Sequence, residues 1–342
     1  MAKIDFNFLA LCHAISDRGL EYGDRRRDVK RLQIPSYTFR HDFKDGFPIL
    51  SIKEVPFKMI VGELIWFLRG DNDIDYLNEN GIKIWNADAY NWYVKEFRAN
   101  EMPGDEFPMM TLKEFSAIGK GSVGQNYSMQ WRFFNGNTDQ IMDLIRDMKD
   151  NIMSSRLKVN AWNPSEVNET ALPPCHSEFQ IIGVPLRLSQ RIDIAIEKGL
   201  TTENAHLSES DWLPWLEKRE IPEFGFELHW NQRSVDTFLG LPFNITSYGL
   251  LAKILEKITG FPALGIEGTL KCVHFYDNQY EAVAKLVERD PYRNKAPELK
   301  IDFNFDEIFP EMFDEIQIEN ITLEGYEFQD SIIVKMLAPK EL

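Results

Sequence analysis

Apolar positions recur at helical spacing over residues 3–19, placing Phe6, Leu9, Ala10, Cys12 and His13 among the inner positions of an amphipathic helix. Residues 36–42 and 48–52 alternate as strands do, joined by the turn Lys44-Asp45-Gly46. Residues 57–69 are apolar almost throughout and predict a buried helix. Glu63 sits in the middle of that helix, where an unpaired charge is costly to bury. Residues 92–122 contain Pro103, Gly104, Pro108, Gly119 and Gly121 and read as a long loop or insertion. A helix over 138–150, opened by Thr138-Asp139, precedes a strand over 156–162. Strands are predicted at 178–188 and 225–233, and the polar, charged stretch 191–223 between them reads as a surface insertion rather than core. A helix at 246–258, a strand near 268–276, a helix at 278–289 and a last strand, Ser331-Ile332-Ile333-Val334, complete the pattern. Helices and strands mix without a βαβ rhythm, so the fold class is α+β. No repeat and no glycine-rich phosphate loop is present in the sequence.

A chain of 342 residues, 44% hydrophobic, can bury a core large enough to need no disulfide staples. The net charge of −16 sets it against nucleic acid as a partner. That charge is uneven. Residues 301–342 hold eleven Asp or Glu against two Lys, whereas residues 25–31 hold five cations in seven positions. The basic knot is either a local anion site or a solvated turn. Three cysteines without regular spacing, Cys12, Cys175 and Cys272, fit a reducing compartment and give no zinc-binding pattern, so no metal is expected. No apolar run reaches membrane-spanning length, and the N-terminus lacks the build of a signal peptide. The expectation is a cytoplasmic protein.

Two stretches concentrate chemistry. In Ala171-Leu172-Pro173-Pro174-Cys175-His176 two prolines fix the backbone just before a thiol, which suits a held nucleophile. Taken alone, a buried structural cysteine is the commoner use of the residue, and Cys12 and Cys272 are read that way. From Asn231 to Tyr248, polar groups crowd a strand end and the loop before a helix, a place where such groups converge on ligands.

Together these stretches resemble the thymidylate synthase family, whose signature is Pro-Cys-His followed by Gln-Arg-Ser-x-Asp-x-x-Leu-Gly-x-Pro-Phe-Asn. Here those positions are Pro174-Cys175-His176 and Gln232 to Asn244. Asp45-Gly46-Phe47-Pro48, Glu63 to Asp71, Ile84-Trp85, Gln130-Trp131-Arg132, Ala161-Trp162-Asn163 and His274-Phe275-Tyr276 follow the family in order. The resemblance implies one catalytic domain over 1–342: a mixed β-sheet packed with helices, the sheet forming a homodimer interface, with family-atypical insertions near 92–122 and 191–223.

It also implies a reaction, in which 5,10-methylenetetrahydrofolate places a one-carbon unit on C5 of dUMP. Cys175 would attack C6, with Arg233 helping to hold the thiol ionised. Glu63 and Asn244 would stabilise charge on the C4 oxygen, and Tyr127 would lie near the departing C5 proton. Asn244 favours uracil, because an amide can donate to O4 and accept from N3–H. Gln232, Ser234 and Arg233 would bind the nucleotide, with Arg26 and a partner subunit's Arg156 at the phosphate and His274 and Tyr276 at the sugar hydroxyl. Trp85, Leu172, Asp236 and Gly240 fall at positions facing the folate.

The chain departs from the pattern in several places. The usual Arg-Thr-Gly-Thr-Gly loop is replaced by Arg26-Arg27-Asp28-Val29-Lys30. The lent arginine pair becomes Arg156-Leu157, and Cys272 replaces an Asp. The tail ends Lys340-Glu341-Leu342 where synthases end in an apolar segment that excludes water. The polar tail and altered loop lead to the expectation of a dUMP hydroxymethylase of the kind found in phages with modified thymine, in which water completes the reaction as 5-hydroxymethyl-dUMP. The alternative is a thymidylate synthase making dTMP and dihydrofolate. A non-catalytic nucleotide- or RNA-binding relative is opposed by the retention of Cys175, Glu63, Tyr127, Arg233 and Asn244. A cysteine hydrolase would need a dyad that adjacency of Cys175 and His176 does not establish.

Overall fold

The computed structural model describes residues 3–24, 29–100, 109–200, 208–305 and 307–335. Helix α1 (Lys3–Arg18) leads into the hairpin β1 (Leu20–Asp24) and β2 (Val29–Asp42). Helices α2 (Phe57–Arg69), α3 (Asp75–Glu79), α4 (Asn86–Asn100), α5 (Leu112–Ile118), α6 (Tyr127–Phe133) and α7 (Gln140–Asp150) follow. Then come β3 (Lys158–Asn160), β4 (His176–Pro185), α8 (Leu188–Glu197), α9 (Glu209–Glu217), β5 (Phe224–Gln232) and the short β6 (Val235–Asp236). The long helix α10 (Gly240–Thr259), β7 (Ala263–Tyr276), α11 (Tyr280–Val287), β8 (Glu298–Ile301) and β9 (Ile321–Glu324) complete the chain.

Among the described residues the strands build a mixed seven-stranded sheet in the order β1-β2-β7-β5-β4-β3, with β6 continuing the β5 edge of β7. β5 and β6 run parallel to β7, and the other pairs are antiparallel. The ladder on β7 passes from Gln232 opposite Leu270 to Val235 opposite Val273, so Arg233 and Ser234 lie in the gap between β5 and β6. Inward positions of β5 (Phe226, Leu228, Trp230) pack with α2 and α10 into the main core. Alternate positions put Glu227 and His229 on the opposite face, where Arg40 donates to Glu227 at 2.5 Å and His229 lies 3.0 Å from Glu227. Mixed α+β architecture is therefore what the chain adopts.

The apolar run at 57–69 is helical as the pattern predicts, and Gly70 ends it in the left-handed region at φ 80°. Asp139 caps α7 by accepting from the Met142 N–H, which agrees with the predicted start. Elsewhere the pattern misleads. Residues 48–52 are not a strand: the Ser51 N–H, Ser51 hydroxyl and Ile52 N–H donate instead to the buried carboxylate of Asp5, and the Leu50 carbonyl accepts from Tyr326. Residues 331–334 are likewise irregular, with Ser331 donating to Glu54.

The expected loop over 92–122 contains most of α4 and all of α5, held by edge-on packing of Tyr90 and tilted packing of Tyr93 against Phe115 and by the Thr111–Glu114 capping box. Its residues 101–108 lie outside the described ones. The stretch 191–223 is no bare surface insertion. α8 and α9 fold against each other around a small core of Ala195, Leu216 and Ile221, separate from the main one. Helix α10 begins six residues before the predicted 246, because Asp236 accepts from the Phe238 and Leu239 N–H groups and closes the turn ahead of it. The hairpin β8–β9 has no counterpart among the predicted strands.

Burial raises the Asp5 carboxyl to about 6, against the ordinary 3.8. Removing its oxygens strands the donors of Ser51 and Ile52, so Asp5→Ala is expected to lose about 3 kcal/mol in urea unfolding. The raised value also sets a sign. Wild-type stability relative to Asp5→Asn should fall as pH rises from about 4 through 6, because the unfolded chain ionises first; a difference that does not change with pH would contradict the buried-carboxylate assignment.

Candidate active site

Cys175 ends the Pro173-Pro174 turn just before β4 and is partly accessible. Proline carries no N–H, so the peptide around these two residues is held by its carbonyls. Arg233 Nε donates to the Pro174 carbonyl at 2.7 Å and Nη2 to the Pro173 carbonyl at 2.8 Å. The Arg233 N–H donates to the Cys175 carbonyl at 2.8 Å, and the Cys175 N–H donates to the Tyr127 hydroxyl at 2.7 Å. The thiol is thus carried on a backbone fixed from both sides, with a cation beside it.

His176 does not serve the thiol as an imidazolium. Its ring stacks on Tyr127 at 4.1 Å and 12°, and Nδ1 lies 2.9 Å from the Tyr248 hydroxyl. Loss of hydration between the two tyrosines lowers its pKa to about 3, so it is neutral at physiological pH. The dipeptide is therefore no Cys–His dyad. Burial, followed by the neighbouring Cys175, pushes the Tyr127 phenol well up, so it stays protonated.

Glu63 projects from α2 and accepts from the Trp85 indole N–H at 2.8 Å. Burial raises its carboxyl to about 7, and the Trp85 hydrogen bond works against that rise. Trp85, 6% exposed, packs 6.5 Å from Tyr127, so Glu63 and Cys175 each bond to one member of the same aromatic pair. On the other side Trp230 stacks on Tyr248 at 5.0 Å; Gly268, opposite it on β7, leaves room for the indole, since a Cβ there would come within 2.3 Å of the ring. The Trp230 indole N–H donates to Gln232, and the Gln232 amide donates to Asn244 Oδ1 at 3.1 Å and to the Ser234 carbonyl at 3.2 Å. Ordered this way, Asn244 turns its NH2 away from Gln232.

A third group stands at the end of β7. Asp236 pairs with His274 across the β6–β7 ladder, His274 packs edge-on against Tyr276 at 4.7 Å, and Gly240 lies beside Asp236 at the start of α10. Leu172 is half-buried at the core edge. A cleft of about 430 Å3 opens beside Arg233 and is lined by Trp162, Gln232 and Lys271 among others. Arg156 stands exposed in the loop before β3, apart from these groups. Arg26 and the tail 336–342 lie outside the described residues. His176 and Tyr248 fall within the two stretches singled out in the sequence, but nothing there foretells their contact with each other; Trp230 lies outside both, and only its aromatic character points to it.

The chain that carries this proline-fixed thiol, buried glutamate and Gln232-bound amide matches the thymidylate synthase family profile over residues 6–338. The chain belongs to the thymidylate synthase family, whose members are folate-dependent one-carbon transferases. It is 33% identical over 324 residues to the thymidylate synthase of Malacoplasma penetrans, spanning 94% of this chain and 96% of that protein. It is 35% identical over 312 residues to that of Mesoplasma florum, spanning 90% and 92%, and 31% identical over 345 residues to that of Listeria monocytogenes serotype 4a, spanning 93% and 95%. These relatives favour the synthase alternative over the expected hydroxymethylase. Among the described residues no helix is long and apolar enough to cross a membrane.

The His176 environment is directly measurable. Its imidazole resonances should stay unshifted from pH 8 down to pH 5, with a midpoint near 3; a midpoint at the ordinary histidine value of about 6.5 would refute its packing between the two tyrosines.

Proposed function

We propose that the protein converts dUMP to dTMP, with 5,10-methylenetetrahydrofolate leaving as dihydrofolate. The carrying observation is the clamped Cys175 peptide beside the Glu63–Trp85 pair, in a chain that matches thymidylate synthases over more than nine-tenths of its length. Cys175 thiolate forms a bond to C6 and moves the ring's π electrons to C5 and O4, which makes C5 a nucleophile. Arg233 keeps positive charge near the sulfur. Glu63, ionising at about 7, can give a proton to O4 and take it back, while the Asn244 NH2 donates to the same oxygen. The co-substrate supplies the carbon; C5 loses its proton as tetrahydrofolate departs, and hydride from tetrahydrofolate then adds to the exocyclic methylene while C5=C6 re-forms and the Cys175–C6 bond breaks, returning the electron pair to sulfur.

Tyr127 stands at the C5 proton. Held protonated, it acts as a hydrogen-bonding partner of the group that removes the proton rather than as a phenolate base. Arg233 and Ser234 take the phosphate, with Arg26 beside them, and His274 and Tyr276 take the sugar hydroxyl. Asp236, Trp85, Leu172 and Gly240 face the folate. The polar face of the sheet, opposite the helices, supports a homodimer in which Arg156 reaches the phosphate of the partner subunit.

Mass analysis of both products decides the reaction: dTMP with dihydrofolate is expected, and 5-hydroxymethyl-dUMP with tetrahydrofolate would overturn the synthase reading. Cys175→Ala should abolish turnover, and Glu63→Gln should lower kcat about 10²-fold or more. Because the Trp85 N–H depresses the Glu63 pKa, Trp85→Phe should move the Glu63 limb of the kcat/KM pH profile to higher pH; a shift to lower pH would contradict the assignment.

A further inference from the structure

Gln279 belongs to none of the motifs above, yet it is 1% exposed and bonded at both ends of its amide. It closes the turn between β7 and α11. Oε1 accepts from the Tyr276 N–H at 3.0 Å, and Nε2 spans the Asp236 carboxylate at 3.0 Å to Oδ1 and 3.1 Å to Oδ2. An amide can often be turned over without penalty. Here it cannot: one end faces a donor and the other a pure acceptor.

We infer that Gln279 is a positioning residue that aims the Asp236 carboxylate at the folate co-substrate, tying it to the strand end that holds the nucleotide sugar. The inference rests on the roles proposed above for Asp236, His274 and Tyr276. Asp236 Oδ1 already accepts from the Phe238 and Leu239 N–H groups at 3.2 and 3.1 Å. With the Gln279 bond added, Oδ1 is saturated, while Oδ2 keeps a lone pair for a ligand donor. The same turn is pinned from behind by Lys53, whose ammonium donates to the Phe238 carbonyl at 2.8 Å. The Thr237 N–H, donating to the His274 carbonyl at 3.0 Å, completes a closed loop of bonds from the sugar-binding strand to Asp236 and back through Gln279. The carboxylate can then rotate only by breaking the contact with Gln279.

Gln279→Glu isolates this contact. It keeps the acceptor for the Tyr276 N–H and replaces the donor to Asp236 with a second carboxylate. Calorimetric titration of the full chain with dUMP, and then of the dUMP complex with tetrahydrofolate, reads the two sites separately without turnover. Losing one charge-assisted bond should weaken tetrahydrofolate binding about tenfold or more and raise KM for methylenetetrahydrofolate alike. Affinity for dUMP should stay within about twofold. Equal weakening of both ligands, or of neither, overturns the positioning role. Should Gln279→Glu not fold, Gln279→Met serves: tetrahydrofolate binding should weaken more than dUMP binding, and equal weakening of both, of neither, or of dUMP alone overturns the inference. Wild-type protein that binds neither ligand sinks the proposed function itself; wild-type binding of both with Gln279→Glu unchanged sinks only the role of Gln279.

Discussion

The fork of Arg233 on the carbonyls of Pro173 and Pro174 is the constraint from which the rest of the site follows. Two consecutive prolines remove two backbone donors, so nothing in a strand ladder can hold that turn. A planar guanidinium with donors at fixed spacing can. Once the turn is fixed, the Cys175 N–H meets Tyr127, His176 sits between Tyr127 and Tyr248, and β4 starts opposite Gln232 of β5 with a bulge between His176 and Glu178. The gap between β5 and β6 is what frees Arg233 to reach across. The interruption of the sheet and the cation clamped on the Cys175 turn are one structural event.

The same economy governs the buried acids. Glu63 and Asp5 are both raised by burial, but to different ends. Asp5 accepts three donors from residues 51 and 52 and replaces a missing strand. Glu63 has one donor, Trp85, and is left close to the point of proton exchange at neutral pH. The number of hydrogen bonds each carboxylate accepts separates an acid tied into the backbone from one left free to exchange a proton.

Much of this was legible in the residue pattern, for reasons that also explain the failures. The helix at 57–69 is broadcast by burial, and Cys175, Arg233 and Asn244 by a motif whose spacing tolerates little change. A strand-like pattern at 48–52 reports an extended backbone but not what satisfies it; the Asp5 carboxylate and the Tyr326 hydroxyl did so here, and no ladder formed. The stretch 191–223 is polar on average, yet Leu216 and Ile221 needed only a few partners to make a core. Gln279 is invisible in sequence because its meaning lies in Asp236, forty-three positions away. The final residues, on which the hydroxymethylase expectation leaned, lie outside the described ones.

The separate core of α8 and α9 gives the molecule two scales of cooperativity. A helix pair closed on itself, joined to the sheet at the ends of β4 and β5, can open and reclose as a unit while the main core stays intact. Amide protons there would exchange through local opening, at a free energy below that of the whole chain. Sequence change in the pair would then register first as altered resistance to proteases. The Cys175 turn, at the other end of β4, would be insulated from it by the length of a strand.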